Sequence, residues 1–133
     1  MDFLDHVGIA VLDLEKSISR YESDFGFKVE LRESLPEQKI ELAFLKLENT
    51  SLELLSASAP DSSISNFLSK RGEGLHHVCY RVKDINAELS RLAGLGYKLI
   101  DEKPRHGARN TLIAFVHPKN AQGVLTELCQ KRA

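Results

Sequence analysis

Apolar and polar positions alternate along residues 3–11, the period of a half-buried strand. At Leu14 the period changes. Leu14, Ile18, Tyr21 and Phe25 fall at i, i+4, i+7 and i+11 and mark one face of a helix. Asp13 stands at its N-cap, with Lys16 rather than Glu three residues on, so the capping box is incomplete. Gly26 stands where a glycine ends such a helix. Alternation returns at Phe27–Leu31, and Pro36–Lys39 predicts a turn. Ile40–Leu47 predicts a third strand, Glu48–Thr50 a turn and Ser51–Ser56 a fourth strand. The order is βαβββ.

A small-residue connector (Ala57–Ser63), an amphipathic turn or two (Ile64, Phe67, Leu68) and an exposed hinge (Lys70–Gly74) follow. Then the pattern starts again. His77-Val78 answers His6-Val7 at an offset of 71 residues, and Val82, Asp84 and Ile85 answer Val11, Asp13 and Leu14. Ile85, Leu89 and Leu92 repeat the helix face at the same offset, as Ala114-Phe115 repeats Ala43-Phe44. Gly96–Leu99 answers Gly26–Val29 at 70, and Glu127-Leu128 answers Glu53-Leu54 at 74, the extra residues fitting in loops. A near-constant offset across helix, turn and strand positions marks a duplication. The chain reads as one α+β domain of two βαβββ modules, about 1–68 and 74–133.

Period two also sorts the faces. Val7, Ile9 and Val11 belong under the first helix, leaving His6, Gly8 and Ala10 on the other side. Val78, Tyr80 and Val82 do the same in the second module, leaving His77, Cys79 and Arg81. Leu54 and Leu128 face helices, so Glu53 and Glu127 point away from them. Singly, each of these is unremarkable: His6 a surface residue, His76 or His77 a hydrogen-bonded core histidine, the glutamates exposed strand carboxylates. A pseudo-twofold pairing of the modules would bring His6, Glu53, His77 and Glu127 together. Two imidazoles and two carboxylates suit Zn²⁺, Co²⁺, Mn²⁺ or Ni²⁺, with positions open for water or substrate. By the same register His76 lies on the opposite face from His77 and reads as structural.

Composition narrows the field. The chain has 133 residues, 42% hydrophobic and 28% charged, with a net charge of −1. A balance so near neutral, without a basic stripe, argues against nucleic acid and anionic membranes. No apolar run approaches the ~20 residues of a membrane span, and the first strand leaves no room for a leader, so a cytoplasmic protein is expected. Cys79 and Cys129 fit no redox or zinc spacing and read as reduced, buried thiols.

The residues that carry a resemblance are Asp5–Val11, Pro60-Asp61-Ser62, Gly72–Val78, Asp101–Pro104, Phe115–Lys119 and Gly123–Leu128. In that order they resemble the vicinal oxygen chelate (glyoxalase/bleomycin resistance) superfamily, and within it the methylmalonyl-CoA epimerase group. The resemblance implies a cupped eight-stranded mixed sheet around a divalent metal held by His6, Glu53 (Glu or Gln in the family), His77 and Glu127. It implies an isomerase acting on an acyl-CoA, interconverting (R)- and (S)-methylmalonyl-CoA by α-proton abstraction through a stabilised enolate, and a homodimer. Glu127 is the first candidate base. Some members carry a second carboxylate on the third strand, where direct register puts Leu42 here; Glu41 is the neighbouring candidate if a bulge reverses its face. The loop Gly107-Ala108-Arg109-Asn110 departs from the group's Gly-Ala-His-Gly, and His106 or Arg109 is a candidate for substrate carboxylate or CoA phosphates. The alternatives are a glyoxalase I-like isomerase of a glutathione hemithioacetal and a non-enzymatic binding protein of the same fold. Family members of the latter kind lack the metal set.

Overall fold

Where the pattern has period two the chain forms strands, and where it has the helical period it forms helices. The computed structural model describes residues 1–133, with eight strands and three helices. It divides into two units, His6–His76 and Met1–Asp5 with His77–Ala133.

The first unit holds β1 (Phe3–Ala10, from His6 on), α1 (Leu14–Phe25), β2 (Lys28–Leu35), β3 (Ile40–Lys46), β4 (Ser51–Ala57) and α2 (Ser63–Arg71). Its strands lie in the order β2-β3-β4-β1, with β1 and β4 parallel and the other pairs antiparallel. The Asp13 carboxylate accepts the Lys16 N–H at 3.0 Å and so caps α1 without the missing glutamate. Gly26 closes the helix at φ 72°, a left-handed conformation natural to glycine. Leu14, Ile18 and Tyr21 pack on Ile9, Val11, Val29, Ala43, Leu45 and Leu54. Phe25 departs from the expected face: it is 65% exposed, because the last turn leaves it only the rings of Tyr21 and Phe27 to lean on.

The strand pairing of this unit has one irregularity. The β2–β3 register shifts between Val29 and Leu31: Val29 opposes Leu45, yet Leu31 opposes Phe44. This bulge exchanges the faces of everything after it.

The second unit holds β5 (Gly74–Arg81, from His77 on), α3 (Ile85–Gly94), β6 (Arg105–Gly107), β7 (Thr111–Val116) and β8 (Thr126–Lys131), ordered β5-β8-β7-β6. Asp84 caps α3 through the Ala87 N–H. Ile85, Leu89 and Leu92 pack on Val82, Ala114, Val116 and Leu128, the same arrangement that α1 makes. The strand that the echo of Gly26–Val29 implies at Gly96–Leu99 does not form; Leu99 makes a single bridge to Val116, and pairing resumes only at β6. Between them the Asp101 carboxylate accepts the Phe115 N–H at 2.9 Å, so a side chain occupies the donor a strand would use. Pro104, with no N–H, also cannot pair. No helix is long and apolar enough to cross a membrane.

Candidate metal centre

In the first unit Glu53 lies opposite Gly8 in the β1–β4 register. His6, two residues before Gly8, shares that face, and its Nε2 lies 3.3 Å from Glu53 Oε1. Both residues are 5% exposed. Across β3, Phe44 opposes Glu53 and stands edge-on to the His6 ring, centroids 5.2 Å apart at 85°. The imidazole is thereby fixed in orientation by packing.

The second unit builds the same set. Cys79 takes the place of Gly8 opposite Glu127, His77 lies two residues before it, and His77 Nε2 stands 3.3 Å from Glu127 Oε1. Phe115 opposes Glu127 on β7 and meets His77 edge-on at 5.6 Å and 88°. Period-two reasoning found the four polar residues but not the two rings. Their signal was present in the Ala43-Phe44 and Ala114-Phe115 echo.

Do these pairs fit a metal? A buried carboxylate beside an imidazole needs positive charge, from a proton or a cation. For a divalent ion with bonds of about 2.1 Å, adjacent ligands lie about 3.0 Å apart at octahedral angles and about 3.4 Å at tetrahedral ones. The observed 3.3 Å in each unit falls within that span. These His–Glu groupings fit a divalent metal.

The other predicted residues fare differently. Glu41 cannot be the second acid or base as expected. It is exposed, opposes Ser34 and Ser56, and alternation puts it on the α1 side with Ala43, away from Glu53. The bulge needed to reverse it lies in β2 instead and turns Glu33, which sequence reasoning passed over. His76 packs edge-on against Phe67 at 4.9 Å, as a structural residue would. Arg109 is not held ready for substrate: it pairs with Asp5, which also accepts Arg81 Nη2 at 2.7 Å. His106 Nδ1 lies 3.0 Å from Arg132 Nη1. Cys79 and Cys129 are free and buried; burial, then a hydrogen bond with Cys129, pushes the Cys79 thiol far above its ordinary range, which leaves it unreactive.

A sequence model of the glyoxalase/bleomycin resistance protein/dioxygenase superfamily matches residues 5–115. With two βαβββ units, each carrying a buried His–Glu pair, the chain belongs to that superfamily and has its glyoxalase-like α+β fold. Its similarity runs chiefly to epimerases. An ethylmalonyl-CoA/methylmalonyl-CoA epimerase of Cereibacter sphaeroides is 38% identical over 96% of this chain and 96% of its own. The mitochondrial methylmalonyl-CoA epimerase of Homo sapiens is 40% identical over 96% of this chain and 73% of its own. A Streptomyces coelicolor methylmalonyl-CoA epimerase, solved in complex with 2-nitronate-propionyl-CoA, matches with a TM-score of 0.96 at 34% identity, covering 100% of this chain and 96% of that one. Glyoxalase I of Saccharomyces cerevisiae is more distant, 28% identical, and this chain covers 40% of its length.

Proposed function

We propose that this protein is a metal-dependent epimerase that interconverts (R)- and (S)-methylmalonyl-CoA. The observation that carries the reading is the recurrence of one His–Glu geometry, 3.3 Å and buried, at repeat-equivalent positions of both units. Whole-chain similarity to methylmalonyl-CoA epimerases supports the substrate. The whole chain, 1–133, then works as one domain whose two modules supply His6, Glu53, His77 and Glu127 to a single Co²⁺, Zn²⁺, Mn²⁺ or Ni²⁺ ion. When bound, such an ion supplies electrostatic stabilisation to the oxyanion that develops as the α-proton leaves.

The chain's own residues do the rest. Phe44 and Phe115 keep the imidazoles oriented toward the carboxylates. Glu127 is the base for one face of the acidic carbon. The floor of the first unit's site, Leu42, Phe44 and Leu55, is buried and apolar and keeps water from competing for the carbanion. The protein acts as a cytoplasmic homodimer on a free acyl-CoA, without nucleic acid or membrane.

The test is metal analysis of the purified protein, followed by deuterium exchange at the α-carbon of methylmalonyl-CoA in D₂O. Exchange is expected with metal and is abolished by a chelator. Metal-loaded protein that exchanges no α-proton would sink the proposal, and turnover of methylglyoxal with glutathione would replace it by a glyoxalase.

A further inference from the structure

Epimerisation takes a proton from one face of a carbon and returns one to the other. One carboxylate therefore serves only half the reaction, and the opposite face needs an acid–base group of its own. The third strand offers none: Glu41 is turned away and Leu42 is 1% exposed in the apolar floor. The next strand does. Before its bulge, β2 presents Val29 to the α1 core. After it, Leu31 opposes Phe44, Glu33 opposes Leu42 and Leu35 opposes Ile40. Arg32 between them reaches Glu15 of α1 at 2.5 Å, so Arg32 faces the helix and Glu33 faces the other way. Glu33 thus shares the face of Phe44, His6 and Glu53, and it is half-buried.

From Glu33 to Glu53 is two strand spacings across and two residues along, roughly 12 Å between Cα atoms. Both side chains leave the same face of the sheet, so the two carboxylates stand on one side of it across that interval. The second unit shows what a side chain at this position can touch. Arg105 opposes Ile113, the repeat counterpart of Leu42, and its guanidinium lies 5.7 Å from the Phe115 ring that backs His77. The outer-strand position therefore reaches the ring behind the ligands. Duplication left a cation there in one unit and a carboxylate in the other.

We propose that Glu33 is the second acid–base group, serving the face of the α-carbon that Glu127 does not. This rests on the epimerase reading above. In one direction the C–H electron pair passes to the thioester carbonyl as the proton goes to Glu127. The carboxylic acid form of Glu33 then delivers its proton to the opposite face, the new C–H bond forms, and Glu33 is left as carboxylate. Exchange with solvent resets both groups.

The decisive variant is Glu33→Gln, which keeps the shape and cannot carry the proton. Metal-loaded wild type and variant are given each epimer of methylmalonyl-CoA separately in D₂O, following α-deuteration and inversion by NMR. We expect inversion to fall by about 10²–10⁴-fold while one epimer, and only one, still exchanges its α-proton. Bound metal per chain should be unchanged, and Glu33→Asp should recover part of the inversion. If wild type neither exchanges nor inverts, the epimerase reading fails. If wild type inverts and Glu33→Gln inverts within threefold of it, or loses exchange of both epimers equally, Glu33 is not the second group.

Discussion

Asp5 is the buried charge whose removal the structure makes easiest to cost. It is 5% exposed and accepts Arg81 Nε at 3.1 Å, Arg81 Nη2 at 2.7 Å and Arg109 Nη2. Asp5→Asn keeps the shape but leaves two guanidinium groups without their counter-ion. Taking one partner from a buried ion pair costs about 3–5 kcal/mol. The two arginine side chains are 22% and 21% exposed, so water repays part of that loss. We expect about 2–3 kcal/mol for Asp5→Asn and about 3–4 kcal/mol for Asp5→Ala. At about 3–4 °C per kcal/mol for a chain of this length, Asp5→Asn should melt roughly 10 °C lower. Urea unfolding followed by circular dichroism measures the free energy. A cycle with Arg109→Ala isolates the pair, and the cost of Asp5→Asn should shrink by about 1 kcal/mol in that background. A loss below about 0.5 kcal/mol with no coupling would show that the cluster is screened like a surface pair.

Three further outcomes are expected. Leu54→Ala and Leu128→Ala each empty a fully buried position under a helix and should cost about 3–4 kcal/mol by urea unfolding, similar to one another because the positions are repeat-equivalent. Gly107→Ala would put a Cβ 2.5 Å from Ile113 Cγ2; overpacking of about 1–3 kcal/mol should lower the melting temperature although glycine is being removed. The Asp61 carboxyl is held below its ordinary range by a hydrogen bond from Lys39. Its contribution is complete above the unfolded carboxyl pKa and is lost as pH falls through the lowered one. Lys39→Met should flatten that acid limb in melts recorded between about pH 5 and 2.

The two buried His–Glu pairs were legible because their faces depend on short-range rules. A strand's alternation requires Glu53 to face away from Leu54, and a helix needs its cap, so Asp13 and Asp84 announce α1 and α3. The repeat supplied the rest by pairing His6 with His77 and Glu53 with Glu127. Features set by contacts between elements escaped. The second strand of the later unit shrank to β6 because Asp101 takes the Phe115 N–H, an exchange that alternation cannot foresee. Arg109 stands in the sequence, beside His106, only as a candidate substrate contact, since nothing local links it to Asp5.

What the sequence determined by itself was the order of elements, the duplication and the four candidate ligands, all consequences of periods that each strand and helix imposes on its own side chains. Only the tertiary structure decided which further carboxylate shares their face. Face assignment by alternation holds as long as no residue is inserted in the ladder. The bulge after Val29 inserts one, so Glu33 turns toward His6 and Glu53 while Glu41, in an unbroken strand, stays turned away. A bulge forms where β2 meets its partner, and that meeting is a property of the fold.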